Sequence, residues 1–224
     1  MPHWSRGLLR AVGHEIRAPL TVIRANSTLV LEERRRLSRA EISDLMRQID
    51  SSARLVDVIV GDLEALAKQS RVRLRIEDFD LVSLLASFAP DLRALVPARH
   101  LELALPDHPL RLRADAMRLK QVLNNLVENA DKYSRQGGSI RIAAEPALDS
   151  ALLIVEDEGP GVPGDELERI FQPFFRGSRS AGTKGSGLGL AICRALIEAQ
   201  GGSLSACKAS GGRFQVRAAL PRAS

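Results

Sequence analysis

Aromatic residues are scarce in this chain, with one Trp, one Tyr and six Phe among 224 residues. Proteins that stack bases interleave aromatics with a basic stripe, whereas the net charge of +5 here is spread along the whole length, so no nucleic-acid partner is expected. Long apolar runs are missing as well. No stretch approaches the roughly 18 to 20 uninterrupted apolar residues that cross a bilayer, and Met1 to Arg10 lacks the apolar core of a secretory signal, so this segment is expected to make no membrane contact. Cysteine is nearly absent. Cys193 and Cys207 lie outside any CxxC spacing, and both are expected to be reduced and buried, which suits a reducing cytoplasm. A zinc-peptidase helix is excluded, because the second His that it needs is replaced by Ala18. What is present, 45% apolar and 26% charged residues, is the make-up of a globular protein long enough for one large or two modest domains.

The first pattern is helical. Leu9, Val12, Ile16, Pro19, Ile23, Asn26 and Val30 recur in steps of three and four, the seam of a helix packed lengthwise on others. On that register His14 stands opposite the seam, in solvent, beside the carboxylate of Glu15. Pro19 has no N–H for the carbonyl of Glu15 and crowds it, so a bend is expected next to the imidazole. After a charged break at Glu32 to Arg36, Ser38-Arg39-Ala40-Glu41 has the spacing of a capping box. Ile42, Leu45, Ile49, Ser52, Val56, Ile59, Leu63 and Leu66 then carry a second seam. Two seamed helices cannot cover their own apolar stripes, so a homodimer with a four-helix bundle is expected. The first helix begins almost at Met1 without a capping lead-in, which suggests the cytoplasmic part of a longer chain.

A basic hinge at Lys68 to Arg73 ends this region, and a domain boundary is expected near residue 71, dividing residues 1–70 from 71–224. Beyond it the pattern is mixed. Val72 to Ile76, Leu101 to Leu105, Leu110 to Leu112, Ser139 to Ala144, Ala151 to Glu156, Ser203 to Cys207 and Phe214 to Leu220 read as strands. Leu81 to Leu95, Asp115 to Tyr133 and Leu188 to Gln200 read as helices. Without strict alternation of strand and helix, the expected fold is a two-layer α/β sandwich with a mixed sheet.

Three segments of this part point to a nucleotide. On the Asp115 to Tyr133 helix, Leu119, Leu123, Leu126 and Ala130 form the apolar face, while Gln121, Asn125, Asn129 and Lys132 line a polar one. Asparagine is a mediocre helix former, so three of them, counting Asn124, need a reason. A side-chain carbonyl can ligate Mg²⁺, and Lys132 is placed to reach a phosphate oxygen. The Ala151 strand ends in Asp157-Glu158-Gly159-Pro160-Gly161. A carboxylate only accepts hydrogen bonds and so favours a ring with an exocyclic amine, adenine over guanine, while Gly159 and Gly161 admit a ligand close to the backbone. Gly185-Ser186-Gly187-Leu188-Gly189-Leu190 then opens a helix, where free N–H groups and the dipole bind phosphate. It is neither a P-loop, since Gly-Lys-Ser/Thr is missing, nor the dinucleotide fingerprint, since it follows a long loop. Arg176, Arg179 and Lys184 precede it as a candidate cationic lid.

In order and spacing these segments resemble the transmitter core of bacterial sensor histidine kinases of two-component systems, over nearly the whole chain. His14-Glu15-Ile16-Arg17-Ala18-Pro19-Leu20 is similar to the H box, and Asn125 to Tyr133 to the N box. Asp157 to Gly161 is similar to the G1 box, Phe171 to Arg176 to the F box, and Gly185 to Leu190 to the G2 box. The resemblance implies a dimerisation and phosphoacceptor hairpin followed by a Bergerat-type ATP-binding domain, with ATP and Mg²⁺ as cofactors. By the same resemblance Asn129 is the metal ligand and Asp157 contacts adenine, with Asn125, Lys132, Tyr133, Gly159, Gly161, Arg176, Lys184, Gly185, Gly187, Leu188 and Gly189 around the nucleotide. His14 accepts the γ-phosphoryl group and Glu15 takes the ring proton or fixes the tautomer. The phosphoryl group then passes to an aspartate of a response-regulator receiver domain, and the segment belongs to the cytoplasmic side of an inner-membrane sensor. Hydrolytic relatives with the same nucleotide fold carry a glutamate four residues before the metal-binding asparagine, where this chain has Asn125, so transfer to His14 is favoured over hydrolysis. A scaffold with a relic pocket has no physical reason to keep Asn129, Asp157, Gly187 and Gly189. One departure stands out: many members carry Thr or Asn four residues after the His, proposed to orient water for dephosphorylating the regulator, and here that position is Ala18.

Overall fold

Ser38 and Glu41 start the second helix by exchanging hydrogen bonds. In a computed structural model of the chain, the Ser38 N–H and hydroxyl donate to the Glu41 carboxylate at 2.8 and 2.7 Å, and the Glu41 N–H donates to the Ser38 hydroxyl at 3.3 Å. That is the reciprocal cap which the spacing predicts, and the Ser38 donors hold the Glu41 carboxyl below its usual range. The structure describes residues 4–33, 36–71, 74–178, 187–209 and 212–223, with the backbone alone at 4–15, 18, 55, 57–59 and 61–71.

The chain forms two compact units that part after Arg71. In the first, α1 (Trp4–Glu32) and α2 (Arg39–Arg71) lie against each other as a hairpin. Helix α1 continues through Pro19, which is buried, and the Thr21 hydroxyl donates to the Arg17 carbonyl at 2.8 Å. Ile16, Ile23, Asn26 and Val30 on α1, and Ile42, Leu45, Ile49, Ser52 and Val56 on α2, are the half-buried positions expected of the two seams. The polar Asn26 earns its place there by donating to the Gln48 side-chain oxygen at 2.9 Å. The side chains of Leu9, Val12, Ile59, Leu63 and Leu66 lie outside the described residues.

The second unit is the expected two-layer sandwich. Its elements are β1 (Glu77–Asp80), α3 (Leu81–Leu95), β2 (Leu101–Ala104), β3 (Arg111–Ala114), α4 (Ala116–Tyr133), β4 (Ile140–Pro146), β5 (Ser150–Asp157), α5 (Gly189–Glu198), β6 (Ser203–Lys208) and β7 (Phe214–Pro221). Five strands form one sheet in the order β2-β4-β5-β7-β6, with β2 and β4 parallel and the other pairs antiparallel. One face of it, with Ile140, Ile142, Leu153, Val155, Val216 and Ala218, is buried under the helices. Those helices turn inward Leu119, Val122, Leu123, Leu126, Val127 and Ala130 from α4 and Ile192, Cys193, Leu196 and Ile197 from α5. Alternation along the strands places Glu102, Arg141, Glu156, Gln215 and Cys207 on the other face, opposite one another in register across all five strands.

Three expectations are corrected here. The strand expected at Val72 to Ile76 lies instead at Glu77–Asp80; Leu74 to Ile76 are not strand, and Val72 and Arg73 lie outside the described residues. The pairing partner decides: Glu77 to Asp80 run antiparallel to Arg111 to Ala114 in a separate two-stranded sheet. Asp115 fixes the approach by accepting from the Arg75 N–H at 2.9 Å, and Asp80 ends the strand by capping α3. The strand expected at Leu110 to Leu112 is therefore Arg111–Ala114. Cys207 is half-buried, not buried, because β6 is an edge strand. Cys193 is buried, and both thiols are free.

Candidate functional site

Helix α4 begins where Asp115 accepts from the N–H groups of Met117 and Arg118 and ends one turn past Asn129. Its apolar face fixes its rotation on the sheet, so Gln121, Asn125 and Asn129 fall at a half-exposed edge and Lys132 and Tyr133 are exposed at the end. That edge faces the start of α5. A Cβ built on Gly189 would stand 3.5 Å from the Asn129 amide nitrogen and 4.0 Å from its oxygen, so the bare glycine backbone lies against the amide. Asn125 reaches the Cys193 thiol on α5, whose burial pushes its pKa up to about 12. Leu188, at the N-cap of α5, gives the helix no side-chain cap.

The Asp157 loop closes the other side. Its glycines are there because neighbours leave no room for a side chain. At Gly159 a Cβ would meet the Tyr133 carbonyl oxygen at 2.5 Å, and at Gly161, with φ +61°, it would meet the Phe214 ring at 3.3 Å. Asp157 is 7% exposed, and its carboxylate accepts from the Gly159 N–H at 2.6 Å. Burial pushes its pKa up to about 6, while that N–H and the Arg99 guanidinium pull it down. Its neighbour Glu158 turns away. It accepts from the Ser139 hydroxyl at 2.8 Å and pairs with Arg213 at 2.7 Å, and these partners, Ser139 foremost, hold its carboxyl below the usual range.

The segment Phe171 to Arg176 joins the same place through Gly187. The Phe174 N–H donates to the Gly187 carbonyl at 3.0 Å, and a Cβ on Gly187, whose φ is +74°, would stand 2.8 Å from the Phe174 carbonyl carbon. Phe174 itself has φ +64°, a strained value for a non-glycine residue. Arg169 stacks on the Phe175 ring at 4.4 Å, and Arg194 on the Phe171 ring at 5.6 Å. Sequence reasoning missed the Phe174 to Gly187 bond and the closeness of Gly159 to Tyr133, since neither joins residues close in the chain. The glycines were the available signal, and they are read above as room for a ligand, whereas at 159 and 187 the side-chain position faces protein backbone.

Asn125, Asn129, Tyr133, Asp157, Gly159, Gly187 and Gly189 are thus linked by contacts within one unit. Gly161 and Leu188 lie on the same two loops, and Lys132 on the same helix end. Arg179, Lys184 and Gly185 lie outside the described residues, as do the side chains of His14, Glu15 and Ala18, whose backbone belongs to α1. The expected exposure of His14 falls there too. Among the described residues no group of three His, Cys, Asp or Glu side chains could hold a metal. The Asn129 amide oxygen offers a single hard donor, which fits Mg²⁺ shared with phosphates and water, not a protein-only cage.

Comparison with known proteins agrees with this geometry. Residues 114–224 match the family of histidine kinase-, DNA gyrase B- and HSP90-like ATPases, and residues 5–71 match the His Kinase A (phospho-acceptor) domain. The chain is 32% identical over 222 residues to the signal transduction histidine-protein kinase BaeS of Escherichia coli (strain K12), covering 96% of this chain and 46% of BaeS. The chain belongs to the sensor histidine kinase family. Among solved structures, this histidine kinase is 31% identical to the nucleotide-free catalytic domain of ThkA, with a TM-score of 0.55, covering 66% of this chain and 98% of that one. It is 26% identical to ThkA in complex with the response regulator protein TrrA, with a TM-score of 0.69, covering 98% of this chain and 62% of that one. The chain spans about half the length of BaeS and 34% of the alginate biosynthesis sensor protein KinB of Pseudomonas aeruginosa. Among its described residues no helix is long and apolar enough to cross a membrane.

Proposed function

We propose that this chain is the transmitter core of a two-component sensor: it phosphorylates its own His14 from ATP and passes the phosphoryl group to an aspartate of a response-regulator receiver domain. The observation that carries this reading is the meeting of Asn129, the Asp157 loop and the glycine start of α5 in one unit of a chain whose other unit matches a phosphoacceptor hairpin. Residues 1–70 are the dimerisation and phosphoacceptor part and residues 71–224 the catalytic part. The likeness to ThkA bound to a response regulator protein supports the partner. We place the segment on the cytoplasmic side of an inner-membrane sensor, a reading supported by the likeness to the alginate biosynthesis sensor protein KinB.

Each residue's task follows from its chemistry. The Asp157 carboxylate accepts from the 6-amino group of adenine, and Gly159 and Gly161 let the loop that presents it pack against the Tyr133 carbonyl and the Phe214 ring. Lys132, Arg176 and Lys184 neutralise phosphate oxygens, and Asn125, Tyr133, Gly185, Gly187, Leu188 and Gly189 shape the wall and supply backbone N–H groups. Asn129 would hold Mg²⁺, which supplies charge neutralisation on the phosphates. A neutral nitrogen of His14 attacks the γ-phosphorus; the N–P bond forms as the bond to the bridging oxygen breaks, and ADP leaves. Glu15 takes the ring proton, and the phosphoramidate then gives its phosphoryl group to the receiver aspartate.

The test is γ-labelled ATP with the wild-type chain and His14→Ala. Label that is lost in acid, survives base and is absent from His14→Ala supports the reading. Label found only as free phosphate would turn it towards a hydrolase.

A further inference from the structure

One half-buried guanidinium has no task in the scheme above. Arg99 lies in the turn between α3 and β2, at the end of the sheet where the Asp157 loop emerges, and its side chain is 12% exposed. A cation so enclosed needs strong partners, and it has them. Its Nε donates to the Asp131 carboxylate at 2.7 Å, its Nη2 to the Asp131 carbonyl at 2.9 Å, and its Nη1 to the Arg135 carbonyl. Carbonyls in the last turn of a helix, Asp131 here, lack intrahelical donors and carry the negative end of the dipole, so the fork answers the need of the cation and of that carbonyl, and it ties α4 to the Arg135 carbonyl just beyond it.

What the fork holds is the part of α4 that the nucleotide reading uses. Asp131 lies between Asn129 and Tyr133, and the Tyr133 carbonyl is the group that forbids any side chain at Gly159. A shift of the last turn of α4 would therefore displace the loop that presents Asp157. The same positive charge acts on the buried Asp157 carboxylate.

We propose that Arg99 is a positioning residue for the adenine end of the nucleotide site, holding the last turn of α4 in register with the Asp157 loop. This rests on the assignment of Asp157 to adenine. A misplaced carboxylate loses its discrimination between bases, which a general loss of stability does not imitate, because base preference is a ratio of two affinities for the same folded site.

The experiment measures calorimetric affinities of the whole chain for Mg-ATP and Mg-GTP, and KM and kcat of autophosphorylation, in wild type, Arg99→Gln, Arg99→Lys and Asp131→Asn. Arg99→Gln is expected to weaken Mg-ATP about tenfold and Mg-GTP little, and to raise KM for ATP while kcat holds within about twofold. Arg99→Lys, with the charge but not the fork, recovers part of the preference. Asp131→Asn, which keeps both carbonyl bonds, falls between wild type and Arg99→Gln and carries the test should that variant not fold. Equal loss for both nucleotides, or affinities and preference unchanged in Arg99→Gln, would overturn the proposal while leaving the kinase reading intact. A wild-type chain that binds neither nucleotide would overturn the nucleotide site itself, and the Arg99 role with it.

Discussion

Asp157 is asked to be charged in a place that disfavours charge. Burial pushes its pKa up to about 6, from an ordinary value of 3.8, so the folded state holds this proton more tightly than the unfolded chain does. The stabilisation that this gives is fully present below about pH 3.8 and is lost as pH rises through about 6. A shift of this size corresponds to roughly 3 kcal/mol, an upper figure because the site retains some solvent. Urea titrations at intervals from pH 4 to 8 are expected to show this loss, and Asp157→Asn to flatten it. Nucleotide affinity runs the other way, since an ionised carboxylate is the better acceptor for an amine. Mg-ATP binding is expected to weaken below pH 6 in the wild type and to be poor at every pH in Asp157→Asn, measured by the same calorimetry. The expectation for Asp157 rests on its place at a strand end before two glycines. Its burial was not legible there, because the groups that enclose it come from distant parts of the chain. Arg99 was illegible for the same reason: one Arg among 32 basic residues has no local mark, and only the fold brings Asp131 and Arg135 to it.

Helices declared themselves in the sequence where a stripe or a cap repeats, and strands did so less well. Helix α4 was readable from Asp115 onward because its cap and its apolar face agree. Strand β1 was missed because Glu77-Asp78-Phe79-Asp80 is acidic and poor in strand formers, so its state is set by pairing with Arg111 to Ala114. Glycines at the ends of elements gave a sharper local signal. Those at 187 and 159 can be tested against one that does nothing. Gly187→Ala must place a Cβ 2.8 Å from the Phe174 backbone at a φ of +74°, and Gly159→Ala must place one 2.5 Å from the Tyr133 carbonyl. Both obstacles are backbone and cannot swing aside, so each variant is expected to lose about 2 kcal/mol of stability and most of its ATP affinity. Gly164→Ala, with nothing within 4 Å of the new methyl group, is expected to change neither. Thermal melts with and without Mg-ATP check all three, and a neutral Gly187→Ala would mean that the Phe174 to Gly187 contact does not shape the site.

The two units differ in how completely one chain can finish them. The α/β unit encloses its own core, but the hairpin leaves Leu29, Leu31 and Met46 exposed at 41%, 80% and 52%, and its described seam positions are no better than half-buried except Pro19. A second hairpin is the economical cover, so light scattering is expected to give twice the 24.4 kDa chain mass. Within the proposed function, the departure at Ala18 from the pattern of many family members bears on the return reaction, removal of phosphate from the regulator. An in-line water must be held opposite the departing group, and a side-chain amide or hydroxyl one helical turn after His14 is placed to do that. Ala18 has no atom that can. The wild-type chain with ADP is therefore expected to remove label from a phosphorylated receiver slowly, and Ala18→Asn to speed this by tenfold or more, equivalent to about 1.4 kcal/mol in the barrier. Autophosphorylation of His14 needs no such water and is expected to stay within about twofold in Ala18→Asn, since Asn costs a helix only a few tenths of a kcal/mol more than Ala at a site of this kind. If the wild type already dephosphorylates as fast as Ala18→Asn, another group places the water and the departure at Ala18 has no functional weight.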